Sequence, residues 1–348
     1  MKYGQLTITL ILLASLILLG ACSPQTKQDS AASAPTKPSI TLDRQALIDM
    51  MGKYLAALVK HDPAAIPFAD KVKFTENTAE IPVGKGLWVT ASSGPLEFQI
   101  YAADPDAQQV VGLVMMKEIN KDILVGVRLK LEDGKITEAE HHAIRDLGTS
   151  PMGAGAMENL KTSRPGLIED VPAAERMSRD QLIKIGLTYY DALTGEDGKL
   201  APFANECERH ENGALAVGGK PKAGSSSAPT DPQFSEMMKA MAALGPVPNT
   251  CEAQMSTGQF SYITEIRNRR VLIGDEQKGL AVGISMFYHD SSLKEYKYKG
   301  PKGEKMLPSW QGTFNMAGIH FFKIKNGKIY DIEATGIVLP YGAKSGWE

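Results

Sequence analysis

The chain is predicted to fold as α+β, in two similar units that each place an amphipathic helix ahead of an antiparallel sheet. Three observations predict it. Residues 44–78 align without a gap on residues 179–213, with twelve of thirty-five positions identical, which marks an internal duplication. Apolar residues at helical spacing open each copy: Leu47, Met50, Met51, Tyr54 and Leu58 in the first, and Leu182, Ile185, Tyr189 and Leu193 in the second. Late in each copy an alternating pattern flanks a turn dipeptide, Asp133-Gly134 and then Asn326-Gly327, the signature of a tight hairpin.

The elements follow in order. Lys2 precedes an apolar run from Leu6 to Leu19, broken only by Thr7, Thr9 and Ser15. A membrane-spanning helix needs roughly 20 apolar residues, and Gly20, Ala21, Cys22, Ser23 and Pro24 arrive first, so residues 1–21 read as a cleaved signal peptide. Residues 22–42 are Ser, Ala, Pro, Thr, Gln and Lys with little to bury, a flexible tether. The first copy is expected over 43–146, a Gly- and Pro-rich linker over 147–175, and the second copy over 176–348. The alignment offset grows from 135 to 193 within the second copy, an insertion of about 58 residues placed near 214–250. Strands are expected at Leu87–Thr90, Glu97–Ala102, Val110–Met116, Asp122–Leu131 and from Ile136 in the first copy. In the second they are expected at Gln259–Arg267, Arg270–Ile273, Leu280–Tyr288, Gly318–Ile324 and Ile329–Val338.

Two resemblances add to this reading. Leu19-Gly20-Ala21-Cys22 resembles a bacterial lipobox, which implies a lipoprotein carrying fatty acyl chains such as palmitate on Cys22, with the membrane as partner through that anchor. Ser23, rather than aspartate, follows the cysteine, and the resemblance then implies the outer membrane, facing the periplasm, in a Gram-negative cell. The opening helix, the Pro-Phe-Ala and Glu-Asn elements, the Gly-Lys-Gly-Leu-Trp88 segment and the late Phe-Lys-Ile-Lys-Asn-Gly-Lys-Ile resemble tandem SnoaL-like domains of the NTF2-like superfamily. The end of the chain, with Pro-Tyr-Gly and Ser-Gly-Trp347, is similar to an uncharacterised secreted SnoaL-like family. The resemblance implies two cones, each a helix packed on a curved antiparallel sheet with a pocket at one end. That superfamily hosts isomerases, cyclases, dehydratases and non-enzymatic domains, so the fold leaves the function open.

Lys and Arg number 38 against 40 Asp and Glu, a net charge of −2, with no basic run longer than a pair. Nucleic acid is therefore not an expected partner. Once Cys22 is acylated only Cys207 and Cys251 remain, and in an oxidising compartment they are expected to pair as a disulfide. A metal site would need further ligands, of which only His210 is near in sequence; no metal or cofactor is expected.

Residues present in one copy only are the better candidates for function. The second copy has His320 where the first has Val127, and His210 where the first has Thr75. His320 alternates with Phe322 and Ile324 against Lys323, so it is expected to face inward, where an imidazole can serve as general acid or base. Asp331 is its expected carboxylate partner if the sheet turns polar groups inward; if the apolar face is the core, Asp331 and Glu333 lie outside it. Tyr190, His289 and Phe322 are the expected ligand-binding residues. Asp275 reads as a solvated hairpin charge, and Glu76-Asn77 with Glu211-Asn212 as a turn made twice. No Gly-x-Ser-x-Gly, phosphate loop or His-Glu-x-x-His occurs.

Three functions remain open from sequence. The first is a tethered envelope protein whose second cone binds a small, largely apolar molecule. The second is a cofactor-free isomerase, lyase or hydratase using a His/carboxylate pair. The third is an envelope interaction or assembly protein, as a dimer or with another protein, for which adjacent methionines such as Met237-Met238 would supply adaptable contacts.

Overall fold

Asp43 and Ser178 start the two opening helices by satisfying backbone N–H groups that a first helical turn leaves without partners. The Asp43 carboxylate accepts from the Ala46 N–H at 2.8 Å, and Ser178 forms a reciprocal capping box with Gln181. The computed structural model describes residues 40–147, 155–219, 232–246 and 248–348. The signal segment, Cys22 and nearly all of the tether lie outside them. Ile40–Glu348 forms one compact unit.

In the first copy α1 (Arg44–Val59) precedes β1 (Phe68–Glu76), β2 (Ala79–Glu80), α2 (Leu87–Thr90), β3 (Ala91–Ser93), β4 (Gln99–Asp104), β5 (Gln109–Glu118), β6 (Lys121–Glu132) and β7 (Lys135–Ile144). The linker carries α3 (Ala156–Asn159) and α4 (Pro165–Ile168). The second copy runs α5 (Arg179–Gly195), β8 (Phe203–Glu211), β9 (Ala214–Val217), α6 (Pro232–Ala243), α7 (Cys251–Met255), β10 (Glu265–Asp275), β11 (Leu280–His289), β12 (Glu295–Gly300), β13 (Gly303–Pro308), β14 (Phe314–Lys325) and β15 (Lys328–Pro340). The sheets have matching orders, β2-β1-β7-β6-β5-β3 with β4 also on β5, and β9-β8-β15-β14-β11-β10. In each the strand after the opening helix runs parallel to the last strand, β1 with β7 and β8 with β15, and the remaining pairs are antiparallel.

The α+β expectation and both hairpins hold: Asp133-Gly134 and Asn326-Gly327 turn with positive φ at both residues. Asn77 and Asn212 each make the same three bonds to the last strand, Asn77 with His141 and Ala143, Asn212 with Ala334 and Gly336. Three expectations change. Leu87–Thr90 is one helical turn, capped behind by Gly86, rather than a strand. Of the expected strand Gln259–Arg267 only Glu265–Arg267 is strand, and it runs on through Arg270–Ile273 as one bulged strand, β10. The segments after Pro67 and Pro202, for which the sequence predicts no strand, are full strands. Part of the insertion forms a satellite in which Met237, Met238 and Met241 pack on Tyr296, Tyr298 and Leu307 of the β12–β13 hairpin; these methionines fill a core.

Each sheet is buried on both faces. One face packs on its own opening helix: Val110, Val114, Val125, Val127 and Leu129 against Leu47, Met51, Tyr54 and Leu58 in the first copy, and Ala281, Phe287, Phe322 and Ile324 against Leu182, Tyr189 and Tyr190 in the second. The opposite faces pack on each other, with Ile100, Val111, Leu113 and Leu124 of the first copy meeting Ile273, Val282, Ile284, Ile319 and Phe321 of the second. Full burial of each such side chain is worth roughly 1.5–3 kcal/mol, and two-sided burial explains why Val110–Met116 and Ile123–Leu129 read as almost continuous apolar runs. A Cβ on Gly126 would come within 2.5 Å of the Ile319 side chain, so the sheets approach closely there and a larger residue would require Ile319 to shift.

Ion pairs frame this shared core reciprocally. Arg44 of the first copy binds Asp275 of the second at 2.9 Å. The aligned Arg179 of the second binds Asp104 of the first at 2.8 Å. Asp275 also accepts from the Ala103 N–H and Asp104 from the Gly274 N–H, both at 3.0 Å. Asp275 is 1 % exposed, so its reading as a solvated turn charge is corrected. Position in a hairpin did not reveal that another sheet covers it. The segments that follow the last strand of each copy cross in the same sense. Linker residue Arg164 reaches Asp331 and Glu333 of the second copy. Trp347 reaches the first, donating to Thr75 at 3.1 Å with Lys73 and Arg128 each 4.5 Å from its ring.

Candidate functional site

Within the second copy, α5 and β14 bring Tyr190 and His320 together. The Tyr190 hydroxyl lies 3.3 Å from His320 Nδ1. The imidazole stacks on Phe322 with ring centroids 5.9 Å apart and is flanked by Tyr189 at 5.3 Å and Phe287 at 5.5 Å. His320 therefore faces inward as expected, but the interior is packed rather than open: His320 is 3 % exposed, and Tyr190 and Phe322 are fully buried. A Cβ at Gly283 would sit 2.5 Å from the Tyr190 hydroxyl. Burial first, and the charge of Arg209 second, push the His320 pKa down to about 3. The ring is neutral across the physiological range, where a general acid or base works best with a pKa near the working pH.

The expected partners do not join it. Asp331 is an odd number of residues from Ala334, which pairs His320 across β14 and β15, so it projects from the opposite face. There it accepts from Arg164 Nε at 3.1 Å. His210 lies opposite Glu333 in register, with its ring on Glu208 at 2.5 Å and the Gly213 carbonyl at 3.3 Å. His289 is 1 % exposed, its ring nitrogens 2.6 Å from the Tyr262 carbonyl and 3.0 Å from the Trp310 carbonyl, a structural placement. Cys207 and Cys251 are disulfide-bonded, as expected.

A second tyrosine–histidine pair escaped the sequence comparison. In the first copy the Tyr54 hydroxyl is 2.8 Å from His141 Nε2, and His141 Nδ1 is 3.8 Å from Glu76. Glu76 accepts from the Leu87 N–H at 2.8 Å and from Arg145 at 2.9 Å. Burial alone would raise the Glu76 pKa, but His141, the Leu87 N–H and Arg145 outweigh it and hold the group at about 2. The first copy has Val127 in place of His320, which removes the histidine from that strand alone. His141 supplies one from the neighbouring strand, at the position of Ala334 in the second copy. The signal was present in the His141-His142 pair, just beyond the aligned block.

The outer face of the second copy is different. Glu206 and Glu208 of β8, Lys323 and Lys325 of β14, and Tyr330 and Asp331 of β15 form the floor of a groove, and linker residues 166–175 form its wall. Its volume is about 430 Å³, within the usual range for a small-molecule site. Linker residues Glu169, Asp170 and Glu175 bring the carboxylates lining it to six, against two lysines. At the positions of Glu206 and Glu208 the first copy has Lys71 and Lys73. Arg164 clamps Asp331 and Glu333, as Arg128 clamps Glu138 and Glu140 in the first copy. A second cavity, of about 10 Å³ between the copies near Glu140 and Arg270, has room for about one water molecule. Neither cavity is lined by a tyrosine–histidine pair.

Residues 175–336 match the family described as "Domain of unknown function (DUF8021)". No curated protein matches the chain. Among solved structures it is similar to a protein described as a "putative polyketide cyclase" from Silicibacter sp. tm1040, at 13 % identity and a TM-score of 0.25 over 46 % of this chain and 89 % of the other. It is also similar to a protein of unknown function with a cystatin-like fold from Xanthomonas campestris, at 12 % identity and a TM-score of 0.21 over 48 % and 97 %.

A neutral, buried His320 has a consequence for stability. Its folded pKa of about 3 lies below the ordinary 6.5, so between those values the unfolded chain binds a proton that the folded chain refuses. Stability then falls as pH drops from 6.5 towards 3, at up to about 1.4 kcal/mol per pH unit. His320→Phe is expected to flatten this limb, read as the urea midpoint between pH 6.5 and pH 4. An unchanged slope would show that the ring titrates normally.

Proposed function

We propose that this chain is a lipid-tethered binding protein of the cell envelope, and that its ligand, a small polar molecule bearing positive charge, occupies the linker-walled groove of the second copy. One observation carries the reading: the groove of about 430 Å³ is lined by six carboxylates and two lysines, an acidic excess that the pairing of Asp170 with Lys278 and of Asp331 with Arg164 reduces but does not cancel, whereas His320 and His141 sit in packed interiors, 3 % and 0 % exposed. Facing carboxylates raise the local concentration of a cation, and the low-dielectric walls of a groove strengthen the attraction. The reading keeps function in the second copy but moves it from the cone to the outer face, and it sets aside acid–base chemistry by His320 with Asp331. Support for the tether is the lipobox-like tetrapeptide ending at Cys22; acyl chains there would hold the chain to a membrane.

The groove is tested by calorimetric titration of the protein with spermidine. Binding is expected at low salt and should weaken about tenfold in Glu206→Lys, which installs the charge the first copy carries at Lys71; half-molar salt should weaken it further. Absence of binding, or equal affinity in the variant, would contradict the site. For the tether, Cys22→Ser should move the protein from the membrane to the soluble fraction and abolish palmitate incorporation; retention in the membrane would contradict it.

A further inference from the structure

Lys323 is the one lysine among the buried residues of the described chain, 5 % exposed, yet it lines the groove. Lysine is among the residue types least often buried. Its ammonium donates to the Glu169 carbonyl of the linker at 2.6 Å. Lys278 donates to the preceding carbonyl, that of Ile168, and pairs with Asp170 at 2.7 Å. Two lysines are thus anchored side by side on successive linker carbonyls. Across the β14–β15 hairpin, Lys323 stands directly opposite Asp331 in register, so the two residues lie on the same face of the sheet.

From this arrangement we infer that Lys323 is a nucleophilic amine that captures an aldehyde or ketone group of the groove's ligand as an imine. The inference rests on the groove being the ligand site. An amine attacks carbonyl carbon only when unprotonated, and desolvation beside a second cation favours that form. Burial first, and the charge of Lys278 second, lower the Lys323 pKa to about 8, against the opposing charges of Asp331 and Glu169, with Lys325 adding to the lowering. A substantial fraction is therefore the free amine at mildly alkaline pH, where an ordinary lysine is almost wholly protonated.

In the capture step the Nζ lone pair forms a bond to the carbonyl carbon and the carbonyl oxygen takes up a proton, giving a carbinolamine. Nζ then loses its remaining proton as the C–O bond breaks and water leaves. The sum is one amine and one carbonyl giving one imine and one water, with no change of oxidation state. Solvent in the groove carries the proton from nitrogen to oxygen; Asp331, whose carboxyl is raised by burial, stands on the same face of the sheet.

The test is reductive trapping on the full mature chain with glycolaldehyde and cyanoborohydride at pH 7.5, followed by peptide mapping. Lys323 is expected to gain the reduced adduct at least tenfold faster than Lys325, a more exposed lysine of the same groove, and spermidine should slow that labelling. Lys323→Arg, whose guanidinium can still donate to the Glu169 carbonyl, should remove the fast adduct; wild-type labelling decides the matter if that variant fails to fold. Labelling of Lys323 no faster than Lys325 would overturn the inference. If spermidine still binds in that case, the groove reading stands and only the imine falls. If spermidine neither binds nor slows labelling, the groove reading falls as well.

Discussion

Two ion pairs, Arg44 with Asp275 and Arg179 with Asp104, fix how the halves of this protein meet. Each arginine is the first residue of its copy's opening helix and each aspartate ends a strand of the other copy. The arrangement is the intramolecular counterpart of an isologous contact, in which each partner gives the other the same group. Buried pairs of this kind often add little net stability over apolar replacements, because both charges must leave water. What they supply is alignment: with Asp104 and Asp275 also accepting backbone N–H groups across the boundary, a slipped arrangement would leave two carboxylates buried without partners.

That alignment determines where a ligand can go. Most of the outward face of each sheet is used up in the shared core, and the inward faces are filled by helix side chains and aromatic rings. Open concave surface must come from elements outside the duplicated plan. The linker supplies it, crossing to the second copy through Arg164 and standing off β14, β15 and β8 to leave the groove. The carboxyl-terminal segment makes the reciprocal crossing, placing Trp347 on Lys73 and Arg128 of the first copy. The copies are similar in fold and differ in the charge of the strand beside the groove, lysine at 71 and 73 against glutamate at 206 and 208.

Periodicity and turn chemistry made much of the fold legible. Helical spacing from Leu47 and from Leu182, and the Asp-Gly and Asn-Gly turns, report local constraints that a sequence carries directly. The strands after Pro67 and Pro202 were hidden because they mix charged and apolar residues without clean alternation: each pairs in parallel with the last strand on one edge and only at its end with a short strand, β2 or β9, on the other. Asp275 misled because its partner is 231 residues away. His320 was correctly turned inward by alternation, but alternation cannot distinguish a lined cavity from a filled core; that depended on Tyr189, Tyr190 and Phe287 converging on one ring. The groove was illegible because half of it is linker, whose path is set by tertiary contacts of Arg164, Lys278 and Lys323.

The shared apolar core, aligned by the reciprocal ion pairs, makes the two copies one cooperative body. Urea unfolding of Arg44→Ala, followed by circular dichroism and by tryptophan fluorescence, tests it most directly. Trp88 belongs to the first copy and Trp310 to the second, and Trp347 ends the second while packing on the first. A single transition is expected, coincident for both probes, with a loss of about 3–5 kcal/mol from leaving Asp275 buried without its arginine. Two separated transitions, with only the first copy shifted, would contradict it.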